Sequence, residues 1–394
     1  MGVTDADTAS RAKVVAISGS LLGLAATFAP AFLVFKPNRV VDGVSKSAIE
    51  VFGTWGWVLV GVWVLAALFA AVPLPRPVRG VVVGVLGGAA SVGTLWLAGL
   101  AADRYLTSTG DVARMSFSGS VWIVLLASYV VVFAATAWLP RGLPRVIISY
   151  APLVGITALL MTGSLSSLSI MREYANNSAE FWAQLQLHLF YVLGATTLGI
   201  LIGMPTGILA ARRPRTEPAV FGVLNVLNVL PVLAFIGLLN PVLTWASESI
   251  PALAAINVRG VGWTPVLIVL TAYATYPIAR NSYTAMLTLD RSVLDAANGV
   301  GMGRGRRMFE VELPLAAPVI LAGVRIALVQ TTAGAIIAGL VGGGGLGSFV
   351  FLGASQTATD LILMGTIPIV VLGLFFDRFA RLVQRAFSRW SVTA

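Results

Sequence analysis

The sequence predicts an all-α polytopic membrane protein of about ten transmembrane helices with both termini in the cytoplasm, and three observations carry that reading. Of 394 residues, 57% are hydrophobic and 11% charged, and the mean hydropathy is +0.90, a composition outside the soluble classes. Ten stretches contain no Asp, Glu, Lys, Arg or His: 14–35, 51–75, 80–102, 115–140, 146–171, 189–211, 218–247, 260–279, 326–359 and 361–376. A bilayer core of about 30 Å needs about 20 apolar residues per helix. The third observation is the asymmetry of the basic residues. With the N-terminus inside, 17 of the 26 fall in cytoplasmic segments, including Arg11, Arg76, Arg79, Arg141, Arg145 and Arg212, and 7 fall outside: Lys36, Arg39, Lys46, Arg104, Arg114, Arg172 and Arg259. Retention of cations on the inner face accounts for the net charge of +10 without any nucleic-acid partner.

Taken in order, the first stretch exceeds the h-region of a signal peptide and is expected to stay as a helix. Trp55, Trp57 and Trp63 near the second helix, and Trp122 and Trp138 at the ends of the fourth, read mainly as interfacial anchors. The third carries Gly80, Gly84 and Gly88, a small-residue stripe that lets another helix come close. A polar external connection over 164–187 then separates an N-terminal module, 1–163, from a C-terminal module, 188–394.

His188 opens the sixth helix at the outer face as an interface residue. The seventh contains Asn225, Asn228 and Asn240, the eighth Tyr273, Tyr276 and Arg280. The tyrosines can sit at the membrane interface or offer aromatic faces to a quaternary ammonium. The ninth starts near Leu315 and holds Arg325 within it, followed by Gln330, Thr331 and Thr332. These polar groups either line a pathway or form ordinary interhelical hydrogen bonds. Arg325 reads as snorkelling or as tying helices through backbone carbonyls, with a functional role as the alternative. Asp360 and Asp377 bracket the tenth helix as end groups.

The densest information lies in the cytoplasmic loop 285–314, which reads as helix, turn, helix. Ser292 can cap a short helix through Ala297, Gly299, Gly301, Gly303 and Gly305 permit positive φ, Arg306–Leu313 can form a further helical turn, and Pro314 suits the first turn of the next span. The segment resembles the cytoplasmic coupling motif of ABC-importer permeases: Glu-Ala-Ala, three residues, Gly, nine residues, Ile, one residue, Leu-Pro. Asp295, Ala296, Ala297, Gly301, Val311, Leu313 and Pro314 occupy all seven defined positions, with Asp for Glu and Val for Ile. Across about 164–377 the chain is similar to permeases of glycine betaine, choline and related osmoprotectant importers, through Leu224–Pro231, Tyr276–Asn281, Gly323-Val324-Arg325 and Gly342–Gly347. The similarity extends more weakly into 1–163, because a subset of these permeases carries such an extra hydrophobic module. One departure is Asn228-Val229-Leu230-Pro231 where the family has Gln-Thr-Ile-Pro, which leaves any role of that Gln side chain unassigned.

The resemblance implies an external solute-binding protein, a second permease copy or paralogue, and an ATP-binding subunit that carries ATP and magnesium. Asp295–Ala297, Gly301, Arg304, Arg306, Arg307, Val311, Leu313 and Pro314 would then contact that ATPase, and Asn225, Asn228, Tyr273, Tyr276, Gln330 and Thr331 are candidates for the pathway. No cofactor is expected in this chain. ATP hydrolysis cannot reside here, because none of the three lysines, Lys13, Lys36 and Lys46, follows a glycine as a P-loop requires. Gly342–Gly347 matches GxGxxG, but no strand precedes it, so it reads as a tight external turn or a binding-protein contact. Zero cysteines and a single histidine exclude thiol chemistry and a histidine-rich metal site. A secondary transporter is the rival from another class, disfavoured because the acidic residues read as lying in loops or at helix ends. A non-transporting scaffold would not need the coupling motif, and an importer of amino acids is the nearest alternative within the class.

Overall fold

The computed structural model describes residues 5–38, 41–110 and 112–393, so Arg39 lies outside the described residues. The chain divides into two compact units, Met1–Asn176 and Asn177–Ala394. The first contains α1 (Asp5–Thr27), β1 (Leu33–Lys36), β2 (Val44–Lys46), α2 (Ala48–Phe52), α3 (Thr54–Ala71), α4 (Arg76–Thr109), β3 (Arg114–Phe117), α5 (Gly119–Thr136), α6 (Leu143–Met161) and α7 (Ser169–Asn176). The second contains α8 (Ser178–Arg212), α9 (Glu217–Val229), α10 (Val232–Ser249), α11 (Pro251–Ala255), α12 (Trp263–Leu287), α13 (Arg291–Gly299), α14 (Arg304–Arg307), α15 (Leu313–Gly334), α16 (Gly347–Ser355) and α17 (Thr359–Thr393).

Among the described residues, nine helices are long and apolar enough to cross a membrane, not ten. The remaining stretch, 260–279, forms α12, which has 25 residues but is diluted by Thr264, Thr271, Tyr273, Thr275 and Pro277. Those side chains are buried because α12 packs between α8 and α15, so the helix needs less apolarity than one facing lipid. Within the polar connection at 164–187, turns over 164–168 lead into α7 and then the first turns of α8. Its Glu173 is buried and pairs with Arg114 of β3 at 3.6 Å.

In the first unit, two of the connections between helices meet in an antiparallel sheet ordered β2-β1-β3, with Leu33 opposite both Lys46 and Phe117. The glycine stripe of α4 acts as expected. A Cβ on Gly84 would stand 2.4 Å from Ile148 of α6, and one on Gly80 2.8 Å from Leu139. Two of the predicted interfacial tryptophans are core residues. Trp63 is fully buried against Gly23 of α1, and buried Trp138 donates its indole N–H to the Ala9 carbonyl at 3.2 Å. Periodicity within one helix cannot show that a neighbour's glycine leaves room for the ring.

In the second unit, α8 approaches α12 along Gly199, Gly203 and Gly207, where a Cβ on Gly207 would fall 2.2 Å from the Ala279 carbonyl oxygen. His188 is buried ten residues inside α8 rather than opening it, and its Nε2 lies 3.1 Å from the Thr332 carbonyl of α15. The run Gly342–Gly347 is a tight turn with positive φ at Gly342, Gly344 and Gly345. Tyr191 donates to the Gly343 carbonyl and Gln184 accepts from the Gly345 N–H, which fastens the turn to α8.

Candidate functional site

The loop that carries the sequence motif begins where α12 ends at Leu287. Asp290, not Ser292, caps α13: its carboxylate accepts the Ser292 backbone N–H at 2.9 Å. That N–H, and the Ser292 side chain after it, hold the Asp290 carboxyl below its ordinary range. On the nine-residue α13, Asp295 and Ala296 are exposed while Ala297 is buried, so the two alanines of the motif face different ways. The helix ends at Gly299, and past its cap Val300 the chain turns at Gly301, whose φ of +79° is the left-handed conformation that a Cβ would strain. Gly301 and Met302 donate backbone N–H groups to Asn298 and Ala297. Of the four loop glycines, only Gly301, the one the motif defines, uses positive φ.

The chain then re-enters helix at Arg304 and runs through a wide π turn, Met308–Glu312, into α15, with Pro314 in the first turn. The further helical turn is therefore continuous with the ninth span. The wide turn brings Glu312 to the centre of an ion network. Its buried carboxylate accepts from Arg212 Nη2 at 2.6 Å and from Arg307 Nε at 2.8 Å, and Arg307 Nη1 donates to Asn298 Oδ1 at 2.6 Å. One carboxylate thus ties the end of α8, the start of α15 and the end of α13. Arg306 pairs with Glu310 at 2.9 Å on the exposed side, and Arg304 is exposed.

Beside the network lies an apolar groove of about 810 Å³ lined by Val293, Phe309, Val311, Leu313, Pro314 and Phe387, among others. Phe309 and Val300 are each 74% exposed, so the loop that exposes Asp295 and Ala296 also exposes large apolar groups. Such a surface suits a docking partner.

Sequence reasoning missed Glu312, Asn298 and Arg212. The available signal was Glu312 itself, a carboxylate inside the motif's unassigned spacer, but its partners are 100 and 5 residues away and only the fold pairs them.

The pathway candidates are not gathered in the same way. Tyr273 is buried and donates to the Leu230 carbonyl, at the point where the residue before Pro231 turns extended and splits the seventh stretch into α9 and α10. Thr331 is buried, donating to Ala327 O at 2.9 Å and lying 3.2 Å from Thr196 of α8. Tyr276 packs beside Phe221 and Leu224, Asn228 is half-buried, and Asn225 and Gln330 are exposed. For Tyr273 and Thr331 the interhelical hydrogen bond is the observed role.

Asp377 is no end group. It sits within the 35-residue α17, where its carboxylate takes a 2.6 Å bond from Arg325 Nε and a second from Arg381. Arg325 is therefore tied to a carboxylate, not to carbonyls, and acidic residues do occur inside these helices. Arg280 lies over the rings of Phe221 and Tyr283 at 5.0 and 5.6 Å, holding α12 against α9.

Residues 203–389 match the family model of the binding-protein-dependent transport system inner membrane component, and residues 10–171 match that of the ABC transporter permease YehY, N-terminal domain. The carnitine transport permease protein OpuCB of Listeria monocytogenes is 35% identical over 209 residues, 53% of this chain and 88% of that protein. The glycine betaine/carnitine/choline transport system permease protein OpuCB of Bacillus subtilis (strain 168) is 31% identical over 216 residues, 55% of this chain and 92% of its own length. Among solved structures, a chain of the inward-facing MetNI methionine ABC transporter aligns with 54% of this chain and 98% of its own at 19% identity and a TM-score of 0.47.

Proposed function

The chain belongs to the family of binding-protein-dependent transport system inner membrane components, and from that premise we propose that it imports a compatible solute of the glycine betaine, choline or carnitine type. It is a multi-pass permease of the bacterial inner membrane, a member of a family of membrane permeases rather than classical enzymes. In the proposed cycle an external binding protein delivers the solute and two copies of an ATP-binding subunit, holding ATP and magnesium, engage the coupling loops of this chain and a second permease. ATP-driven closure of those subunits pulls the loops together and shifts the permease pair between inward- and outward-facing states.

The observation that carries the proposal is the loop's geometry: Gly301 at positive φ turns the chain just past α13, and Asp295, Ala296, Val300 and Phe309 of the same loop are all exposed. The solute class rests on what the relatives transport. The test is uptake of radiolabelled glycine betaine, choline and carnitine into cells lacking other osmolyte carriers, with the full complex supplied. Uptake should require a working ATPase and survive collapse of the ion gradients. Uptake that survives ATPase inactivation but stops with an ionophore would establish the secondary-transporter reading. In that case Asp377 would be the residue to examine, although its two arginine partners already compensate its charge. Import of an amino acid instead would change the solute and leave the mechanism intact.

A further inference from the structure

The first unit contains a cavity of about 1030 Å³ whose wall is both cationic and apolar. Arg11, Arg76, Arg141 and Arg145 line it, together with Val15, Phe133 and Trp138. These arginines come from three separate parts of the chain: the start of α1, the start of α4, and the link between α5 and α6 with the first turn of α6. The charge asymmetry assigns all three to the cytoplasmic end. Among the described residues, no acidic one lines the cavity. Arg11 is compensated by Asp7 at 2.9 Å. Arg145 gives one N–H to the Leu139 carbonyl at 3.0 Å, and its Nε is buried without a partner. Arg76 and Arg141 make no hydrogen bond or ion pair to any described residue. Behind the wall, Arg79 lies over the Trp138 ring at 5.4 Å and adds to the positive potential.

Helix packing alone does not call for this arrangement. Arginines retained by the positive-inside rule need only reach water, as exposed Arg76 and Arg141 do, whereas the convergence of four on one concavity, with a buried N–H of Arg145 left unpartnered, is an addition to that rule. Guanidinium forks match phosphate oxygens bidentately. Exposed Phe133 and Val15 on the same rim offer acyl chains an apolar surface. Basic pockets between membrane helices at the cytoplasmic side are suited to anionic headgroups.

We propose that this cavity is a binding site for a phosphate-bearing anion, seated by Arg76, Arg141 and Arg145. Two sources share that chemistry, an anionic phospholipid of the inner leaflet and a soluble organic phosphate, and the apolar rim favours the lipid. The site lies wholly within the first unit and does not depend on the transport reading.

The test uses the full-length chain in detergent and native mass spectrometry, titrated with phosphatidylglycerol, cardiolipin, phosphatidylcholine or inorganic pyrophosphate. The wild type should retain the two anionic lipids over phosphatidylcholine. Arg76→Gln/Arg141→Gln should lower that retention about 30-fold, since each arginine near such a headgroup contributes about fivefold in affinity. Arg104→Gln, a charge removed from an exposed position at the opposite end of α4, should leave it unchanged. Photoactivatable phosphatidylglycerol on the unmodified chain should crosslink to segments 8–15 and 133–145, a readout that no folding defect of a variant can mimic. If pyrophosphate binds and the double substitution weakens it while no anionic lipid is retained, the site is upheld and its source is soluble. The proposal falls if the double variant keeps anionic lipid as the wild type does, if Arg104→Gln loses as much, or if the crosslinks map elsewhere.

Discussion

Replacing Glu312 by Gln removes the negative charge on which two arginines converge while keeping the side chain's volume. Glu312 is 4% exposed, and Arg212 and Arg307 are 43% and 25% exposed. Breaking a buried ion pair from one side costs about 3–5 kcal/mol when the remaining charge stays buried. Here both guanidiniums can turn toward water, which relieves part of that cost. The amide retains one acceptor oxygen and presents an N–H₂ group to the other arginine, so one charge-assisted bond, worth about 1.5–3 kcal/mol, is lost outright. The expected penalty is about 2–3 kcal/mol, equivalent to about 30- to 150-fold in the balance between the docked and released loop. Hydrogen exchange should read this directly: amides in 291–312 should exchange faster by about that factor, while those of α12 stay protected. Glu312→Gln should still insert and bind the ATPase, but solute-stimulated ATP hydrolysis should fall. Adding Arg212→Gln should cost less than the sum of the two single changes, because the pair shares one interaction. Unchanged exchange across 291–312 together with wild-type coupling would refute the idea that this carboxylate holds the loop.

Other perturbations test other links. Gly301→Asp forces a Cβ into φ +79° and should abolish stimulation by loaded binding protein while leaving the permease inserted, whereas Gly305→Asp, at ordinary φ, should be milder; equal transport by both variants would remove the coupling assignment. Asp377→Asn should lower thermal stability by about 2–4 kcal/mol, and Arg325→Gln in the same chain should recover part of it, since an unmatched membrane arginine is the costly species; additive losses in a melting series would contradict the pairing. Asp290 binds its proton less readily in the folded loop because of the Ser292 N–H, so its contribution to the α13 cap is complete above the ordinary carboxylate range and is lost as pH falls through the lowered folded value. Exchange protection of 291–299 should fade below about pH 4 in the wild type and stay flat with pH in Asp290→Asn. Single cysteines at Ser45 and Ser164 should label in intact cells with an impermeant reagent and one at Thr216 should not; labelling at Thr216 would invert the topology.

The arginines counted to one side make a concrete measure of what was legible. Arg11, Arg76, Arg141 and Arg145 were assigned to one end only by the alternation of spans, and they line one cavity. Lys36, Lys46 and Arg114 were assigned to the other end and lie on the strands of one sheet. Span location is readable because transfer into lipid sums over contiguous residues and needs no knowledge of neighbours. The local geometry of the loop 285–314 was readable for a related reason. A helix cap, a glycine at a fixed offset and a proline in a first turn are backbone requirements settled within a few residues.

What the tertiary structure alone decided are the pairings that join distant segments. Arg325 and Asp377 are 52 residues apart, Arg212 and Glu312 are 100 apart, and His188 meets Thr332 across 144. A charge in the sequence shows that a partner or water is needed, but the identity of the partner depends on which helix faces meet. That choice is made by close approaches such as Gly207 against Ala279 and Gly23 against Trp63, where a missing Cβ, rather than any polar signal, sets the distance. The sequence by itself marked which stretches are apolar enough to cross lipid and which loop carries the helix, glycine and proline pattern. Only the packed helices determined that one buried carboxylate holds that loop, because an ion pair in a low-dielectric interior forms where packing brings its members within about 3 Å.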